Sequence, residues 1–232
     1  MAFAARTAAL ASAVALAVTA PATPPHQARP AGPAGSGWAS EWQQRGHAMT
    51  PSCLVAGAAK VTVIGDSVTR QMTVRLSGQL GLAHLTNCVE TWSARPSMPA
   101  VAAAAALPVM ARSSVLVMAT GTNDVFDPGQ LPDAIDAALR LAHGRPVVWV
   151  NVYVHRAGTV PALRAYDLPN SRVVNAMLAA AAGRHPSLHV VDWYAVAAAH
   201  PALLLKDGVH VTDRGSRVRT AMIVAAVRRA LA

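Results

Sequence analysis

The stretch VTVIGDSVTRQM, residues 61–72, joins a short apolar run to an amphipathic segment. The apolar run is rich in β-branched side chains, which is typical of a buried strand. Beyond it, apolar side chains recur every four residues and predict a helix over 68–80 with one apolar face. These side chains are Val68, Met72, Leu76 and Leu80. Ser67 stands at the junction, where a serine either caps the helix or presents a reactive hydroxyl.

The alternation of strand and helix continues to the end of the chain. Further strands are predicted over 83–89, 114–120, 146–154 and 188–194, and further helices over 98–111, 132–144, 170–183 and 213–230. Strands that alternate with helices form a parallel sheet covered on both faces. We therefore predict an α/β fold, a flavodoxin-like three-layer α/β/α sandwich around a five-stranded parallel sheet. Folds of this kind place their active sites at the carboxyl ends of the strands.

The N-terminal segment predicts export. Residues 8–20 (AALASAVALAVTA) are apolar and small, and Ala20-Pro21-Ala22 has the small-x-small form of a cleavage site. This pattern predicts a signal peptide over 1–22, and hence a secreted, periplasmic or cell-envelope location. The alternative is an uncleaved anchor, although the apolar run is shorter than the roughly 20 residues needed to cross a bilayer. We interpret the Pro-, Gly- and Ala-rich residues 23–52 as a linker or N-terminal arm, and 53–232 as the folded domain.

The chain contains two cysteines, Cys53 and Cys88. In an exported protein an isolated pair of this kind predicts a disulfide. The alternative is a pair of buried free thiols. Neither cysteine has the spacing of a metal site.

Composition and charge narrow the class of protein. Hydrophobic residues make up 53% of the chain but aromatic residues only 4%, so the core is predicted to consist mainly of Ala, Val and Leu. The formal net charge is +9, and nearly all the cations are arginines. Because they are scattered and form no dense run, we do not predict nucleic acid as a partner.

Polar residues with the potential for chemistry follow several of the predicted strands. Ser67 follows the first strand, Asn123 follows the strand at 114–120, and Asp207 and His210 follow the last strand after a loop. A serine hydroxyl becomes a nucleophile when a neutral imidazole takes its proton, and His210 can supply that base. Asp207 can orient the imidazole through its Nδ1–H. The backbone N–H of Ser67 and the side-chain amide of Asn123 are candidate donors to an oxyanion.

Each of these motifs also has a purely structural interpretation. A serine at a helix start is often an N-cap, and Asn-Asp after a strand is ordinary turn chemistry. An Asp-x-x-His segment flanked by glycine is common in surface loops. Arg70 and Arg95 can either meet an anionic substrate or serve as solvated or structural side chains. The appearance of three motifs at strand ends in one order favours the catalytic interpretation.

The three motifs together resemble a known family. Gly65-Asp66-Ser67, Gly121-Thr122-Asn123-Asp124 and Asp207-Gly208-Val209-His210 resemble three of the four sequence blocks of the SGNH (GDSL) hydrolases. The resemblance runs from about Val61 to the C terminus. Residues 190–215 more narrowly resemble the extracytoplasmic SGNH domains attached to membrane O-acyltransferases, including peptidoglycan O-acetyltransferases.

The resemblance implies ester chemistry without a metal or cofactor, through an acyl-Ser67 intermediate. His210 would be the base, Asp207 its orienting partner, and Ser67 and Asn123 donors of the oxyanion hole. The remaining block normally supplies a glycine N–H, but the matching residues 91–96 contain no glycine. Ala94 could supply this N–H if its backbone adopts a conformation that suits glycine.

We therefore predict an exported serine esterase that hydrolyses short-chain O-acyl esters, such as acetyl esters. Its substrate would be an acylated carbohydrate of the cell envelope or another small ester, and we expect a monomer. One alternative is an O-acyltransferase that works with a separate membrane acyl donor. Another is a non-catalytic envelope-binding protein on the same fold, which the missing block glycine favours.

Overall fold

The computed structural model describes residues 42–158 and 161–232. The predicted signal peptide and the first part of the predicted linker lie outside the described residues, and the predicted domain boundaries stay predictions. Within the described ranges, no helix combines the length and the apolar character that crossing a membrane requires.

A six-stranded sheet forms the centre of the molecule. Its strand order is β1-β3-β2-β4-β5-β6. Strands β2 to β6 pair in parallel, whereas β1 runs antiparallel to β3. The strands are β1 (His47–Met49), β2 (Val61–Gly65), β3 (Asn87–Trp92), β4 (Val115–Ala119), β5 (Val147–Val150) and β6 (Leu188–Val191).

The predicted α/β class and the five parallel strands, β2 to β6, are confirmed, and the sheet has one strand more than predicted. The additional strand, β1, comes from the segment that we interpreted as a linker. Three residues are too short to show a period of two, so the sequence carries no strand signal there. The pairing of His47 with Trp92 and Met49 with Glu90 covers the free edge of β3.

Helices cover both faces of the sheet, as the three-layer prediction requires. α2 packs against α7, and α3 packs against α4, which in turn contacts α5. The helices are α1 (Ser67–Arg70), α2 (Thr73–Leu82), α3 (Ser97–Ala106), α4 (Leu131–Ala142), α5 (Pro161–Arg184), α6 (Trp193–Ala199) and α7 (Asp213–Ala230). Short 3-10 helices occupy 42–44, 51–54, 108–112, 124–126, 128–130 and 201–203.

The stretch at 61–72 folds as a buried strand followed by a broken helix. Every residue of β2 is buried, and Met72, Leu76 and Leu80 are buried in the core cluster as the four-residue spacing predicts. The helix predicted over 68–80 is interrupted before Thr73, where α2 begins. The Thr73 hydroxyl donates to the carbonyl of Arg70 at 3.1 Å, so a side chain replaces part of the backbone ladder there.

Two predicted strands end early, and polar side chains bind backbone N–H groups just beyond β6. β5 ends at Val150, and the Asn151 side chain then donates to Asp192 at 2.8 Å and accepts from the Tyr194 N–H at 2.7 Å. β6 ends at Val191, and Asp192 caps α6 by accepting from the Ala195 N–H. The prediction that Tyr194 belongs to a strand is therefore wrong.

Helix α5 begins at Pro161, nine residues before the predicted start at Asn170. Asn170 lies inside the helix, and its amide donates to the Val125 carbonyl at 2.7 Å. Pro169, which precedes Asn170, is accommodated inside the same helix.

The predicted disulfide between Cys53 and Cys88 is confirmed. Both residues are fully buried in a small cluster with Ala59 and Val109. The bond joins the segment after β1 to β3, across a sequence separation of 35 residues. Restricting a loop of this length in the unfolded chain stabilises the fold by about 4 kcal/mol in the chain-entropy picture. The free-thiol alternative is wrong.

Candidate active site

In the turn between β2 and α1, the helix cap and the candidate nucleophile are two different residues. Asp66 is the N-cap of α1, and its carboxylate accepts from the Val68 N–H at 3.0 Å. Ser67 is therefore not the cap, and its hydroxyl is available for other contacts. A Cβ at Gly65 would lie 2.4 Å from the Thr69 Cβ, so glycine permits the tight exit from the strand.

Ser67, His210 and Asp207 form one hydrogen-bonded chain. The His210 Nε2 lies 3.0 Å from the Ser67 Oγ, and the His210 Nδ1 lies 2.6 Å from the Asp207 Oδ2. The structure thus brings together three side chains that the sequence separates by 143 residues at its widest. This is the arrangement that a nucleophile, a general base and an orienting carboxylate require.

The loop that carries His210 is organised by Asp207. The Asp207 Oδ1 accepts from the backbone N–H groups of Val209 and His210, each at 2.9 Å. Partial burial raises the pKa of Asp207, but hydrogen bonds from Val209 N–H, the His210 ring and His210 N–H outweigh it, and the pKa lies below its ordinary value. Gly208 has φ 72°, and a Cβ there would lie 1.9 Å from the His155 carbonyl oxygen. The loop consequently keeps Asp207 charged and facing the imidazole.

Ala94 adopts the backbone conformation that glycine normally supplies. Its φ is 63°, in the left-handed region that residues with a Cβ rarely occupy. The condition that the sequence set for an N–H donor at Ala94 is therefore met. Asn123 lies nearby, and its side-chain amide donates to the Arg95 carbonyl at 3.4 Å.

A cavity of about 610 Å³ opens at this edge of the sheet, and Ser67, Ala94, Asn123, Asp207 and His210 all line it. All the residues that the sequence assigned to the triad and the oxyanion hole therefore share one space. Their catalytic roles stay predictions.

Arg45, Phe126 and Arg156 also line the cavity, and sequence reasoning missed all three. The Arg156 guanidinium lies 4.1 Å from the centroid of the Phe126 ring and forms an ion pair with Asp167. Burial lowers the pKa of Arg156, and the charge of Asp167 opposes that effect. Arg156 follows a predicted strand and so had a weak positional signal, whereas nothing in the sequence marks Arg45 or Phe126.

Arg70 and Arg95 are not among the residues that line the cavity. Arg95 is fully buried and forms an ion pair with Glu90, so the structural interpretation of this residue applies. Arg70 is exposed.

Two buried carboxylates hold the turns around the site. Asp66 caps α1, and Asp124 accepts from the Ser97 N–H at 3.1 Å and from the Ser97 hydroxyl at 2.8 Å. Burial raises the pKa of Asp124 to about 6, the hydrogen bonds from Ser97 oppose the rise, and the nearby Asp66 adds to it. Both carboxylates thus stabilise turns beside the site.

No protein-family model matches the chain. Two O-acetyltransferases match parts of it. The O-acetyltransferase OatA of Staphylococcus aureus is 29% identical over 110 residues, which are 47% of this chain and 15% of the relative. The putative peptidoglycan O-acetyltransferase YrhL of Bacillus subtilis is 38% identical over 55 residues, which are 24% of this chain and 9% of the relative. The matched region thus spans only a small part of these relatives' length.

Several solved structures match most of the chain. A putative acylhydrolase of Bacteroides fragilis has a TM-score of 0.64 at 18% identity, and the match covers 83% of this chain and 96% of the other. The C-terminal catalytic domain of Streptococcus pneumoniae peptidoglycan O-acetyltransferase A, solved with a methylsulfonyl adduct, has a TM-score of 0.60 at 20% identity, with coverage of 75% and 95%. A GDSL-like lipase of Bacteroides thetaiotaomicron has a TM-score of 0.60 at 20% identity, with coverage of 77% and 94%.

These likenesses agree with the motif order and with the assembled side chains. The fold neighbours include both lipases and an O-acetyltransferase domain, and the sequence relatives are O-acetyltransferases. The predicted resemblance is confirmed at the level of the fold: the chain has the fold of the SGNH hydrolases, and it brings Ser67, His210 and Asp207 into hydrogen-bond contact.

Proposed function

We propose that this protein cleaves or transfers short O-acyl groups, such as acetyl, on cell-envelope carbohydrate through an acyl-Ser67 intermediate. The observation that carries the proposal is the continuous hydrogen-bonded chain from Ser67 through His210 to Asp207, with distances of 3.0 and 2.6 Å. The half-buried Ser67 faces a cavity that can hold a small ester.

In the first half-reaction, the His210 Nε2 takes the proton of the Ser67 hydroxyl while the Oγ attacks the ester carbonyl. The oxyanion of the tetrahedral intermediate accepts hydrogen bonds from the N–H groups of Ser67 and Ala94 and from the Asn123 amide. Asp207 holds the imidazole and stabilises its positive charge. The leaving alcohol then takes the proton from His210, and the acyl group stays on Ser67.

In the second half-reaction, an oxygen nucleophile enters the cavity and gives its proton to His210 while it attacks the acyl-Ser67 carbonyl. The bond between the acyl carbon and the Ser67 Oγ then breaks, and His210 returns the proton to the serine oxygen. Water as the nucleophile makes the protein an esterase, and a sugar hydroxyl makes it an O-acyltransferase. The names of the sequence relatives favour transfer, since they are O-acetyltransferases. A transferase of this kind would receive its acyl group from a separate membrane partner.

An exported location is part of the proposal. The predicted signal peptide motivates it, and the Cys53–Cys88 disulfide supports it because such bonds persist in oxidising compartments. One sequence relative is a putative peptidoglycan O-acetyltransferase, which supports the cell envelope as the place of action.

Replacing Ser67 with alanine tests the nucleophile. We expect Ser67→Ala to abolish the turnover of an aryl acetate and the labelling by a fluorophosphonate probe, because the acyl acceptor is lost. Ser77→Ala is the matched control, since Ser77 lies on α2 and is not among the residues that line the cavity. Full turnover in Ser67→Ala would contradict the proposal, and an unlabelled wild-type protein would favour the non-catalytic binding protein.

Hydrolysis and transfer are separated by supplying an acyl donor together with a glycan acceptor. Transfer predicts a gain of glycan ester that depends on Ser67, whereas an esterase predicts release of free acid and loss of ester from a pre-acylated glycan. Mass spectrometry of the glycan measures the gain or the loss of ester in one reaction.

A further inference from the structure

The loop that presents Ala94 is anchored by the buried side chain of Arg95. The Arg95 Nη1 and Nη2 donate to the two carboxylate oxygens of Glu90 at 2.9 and 2.5 Å. The same Nη2 also donates to the Gly65 carbonyl at 3.0 Å. Arg95 therefore connects the Ala94 loop to β3 and to the last residue of β2, two positions before the nucleophile.

The backbone on both sides of Ala94 is held as well. The Ser93 N–H donates to the Gly46 carbonyl at 2.9 Å, and the Arg95 carbonyl accepts from the Asn123 amide at 3.4 Å. After Pro96, the Ser97 N–H binds the Asp124 carboxylate. Ala94 thus lies between fixed neighbours, and one of them contacts the other oxyanion-hole side chain.

This anchoring has a physical purpose because alanine disfavours a φ of 63°. A residue with a Cβ stays in the left-handed region only when its surroundings determine the backbone there. The Glu90–Arg95 pair is buried and bidentate, which gives it a fixed geometry. Left without this pair, Ala94 would relax toward the ordinary backbone regions and turn its N–H away from the oxyanion.

We propose that Arg95, held by Glu90, is the positioning residue of the oxyanion hole. It allows an alanine to donate the N–H that a glycine normally donates in the SGNH hydrolases. This inference rests on the proposed function. Strand β1 takes part through His47, whose Nε2 lies 2.8 Å from the Glu90 Oε1, the oxygen that also accepts from the Arg95 Nη1. His47 thereby helps to fix the carboxylate that fixes Arg95.

The first test is Arg95→Lys, measured by steady-state hydrolysis of an aryl acetate. Lysine keeps the charge but cannot make the bidentate contact and the Gly65 contact together. Since loss of one oxyanion donor lowers the rate by about 10²–10³-fold, we expect kcat to fall by roughly 10²-fold with KM nearly unchanged. Arg145→Lys is the control, because Arg145 also donates to several carbonyls. It lies just before β5, at the amino ends of the parallel strands and away from the cavity.

The second test asks whether Arg95 acts through Ala94. Glycine reaches the left-handed region without the Cβ penalty, so Arg95→Lys should cost at least several-fold less in kcat in an Ala94→Gly background than in the wild-type background. An equal loss of kcat in both backgrounds would overturn the inference, and so would a loss confined to KM. Should Arg95→Lys fail to fold, Glu90→Gln is measured in the same two backgrounds and decides by the same ratio.

The tests distinguish this inference from the proposed function. If the wild-type protein turns over no ester and Ser67 takes no fluorophosphonate label, the proposed function fails and the inference fails with it. If the wild-type protein is active and Arg95→Lys keeps its kcat in the folded state, the role of Arg95 fails and the proposed function stands.

Discussion

Asp66 and Ser67 divide between them two roles that one serine could not combine. The Asp66 carboxylate satisfies the Val68 N–H at the start of α1, so the Ser67 hydroxyl need not cap the helix. It lies 3.0 Å from the His210 Nε2 instead. A serine that accepted from its own helix would hold its Oγ toward the backbone, away from a base.

Replacing Asp207 with asparagine probes the third member of the chain. The new side chain can still accept the two backbone N–H groups, but its amide favours the wrong tautomer of the imidazole. We expect Asp207→Asn to lower kcat by about 10²- to 10⁴-fold, the upper figure being that of a buried triad. The side chain of Asp207 is 46% exposed, so water will offset part of the loss.

The readout for Asp207→Asn is kcat for aryl acetate hydrolysis, with the thermal midpoint as a control for folding. Asp127→Asn is a matched control: Asp127 accepts one backbone N–H, from Gly129, and does not line the cavity. Unchanged kcat in folded Asp207→Asn would show that His210 needs no orienting carboxylate.

At the scale of elements, the carboxyl ends of β2, β3 and β4 and the loop before α7 supply the site. Each has a local device that fixes its chain: the Asp66 cap after β2, the Arg95 anchor after β3, and the Asp207 turn before α7. After β4, Asp124 ties the turn to the start of α3 through Ser97.

The docking of α3 through Asp124 should make stability depend on pH. The pKa of Asp124 is raised from 3.8 to about 6 in the folded protein, so between these values the folded state binds more protons than the unfolded state. The contribution of Asp124 to the unfolding free energy is therefore largest below pH 3.8 and is lost as the pH rises through 6. A shift of this size corresponds to about 3 kcal/mol.

Asp124→Asn imitates the protonated form and removes this titration. We expect the unfolding free energy of the wild-type protein, measured in urea between about pH 4 and 7.5, to fall relative to that of the variant as the pH rises. Subtracting the two curves cancels the other titrating groups. Parallel curves would mean that Asp124 is already ionised in the folded protein at low pH.

Helices and strands with a long or clear hydrophobic pattern could be predicted from the sequence, whereas elements with a short or ambiguous pattern could not. Helix α7 and strand β2 were predicted with nearly the observed bounds, because each has a clear period or a continuous apolar run. β1 was missed since three residues show no period, and α6 was missed because Trp193 and Tyr194 extend the apolar run of β6. The start of α5 was missed because Pro169 reads as a boundary.

The same distinction applies to the residues of the candidate site. Ser67, Asn123, Asp207 and His210 could be found because they lie in short motifs at strand ends. The sequence does not reveal the left-handed backbone of Ala94 or the partners of Arg95, since both depend on contacts with other strands. Phe126 and Arg45 enter the cavity only through the packing of loops, which no local pattern encodes.

At the scale of the whole molecule, a single covalent cross-link secures the segment before β2 to the sheet. We expect replacement of Cys53 and Cys88 with alanine to lower the unfolding free energy by about 4 kcal/mol, the entropy of a loop of this length. The measurement is the urea midpoint with and without a reducing agent.

The reducing agent supplies the control for the disulfide. Wild-type protein should approach the double variant on reduction, whereas the variant should not respond. Equal midpoints for the oxidised wild type and the variant would show that packing alone holds this segment.

The antiparallel strand at the sheet edge has a consequence for any experiment that trims the protein. Arg45 lies on the cavity wall and His47 contacts Glu90, so residues that precede the first parallel strand line the cavity or support the residues beside it. A recombinant version that starts at Val61, the first residue of β2, would keep Ser67, Asp207 and His210 and still lack one wall of its own pocket. Expression vectors for this domain should begin ahead of Trp42, where the described fold begins.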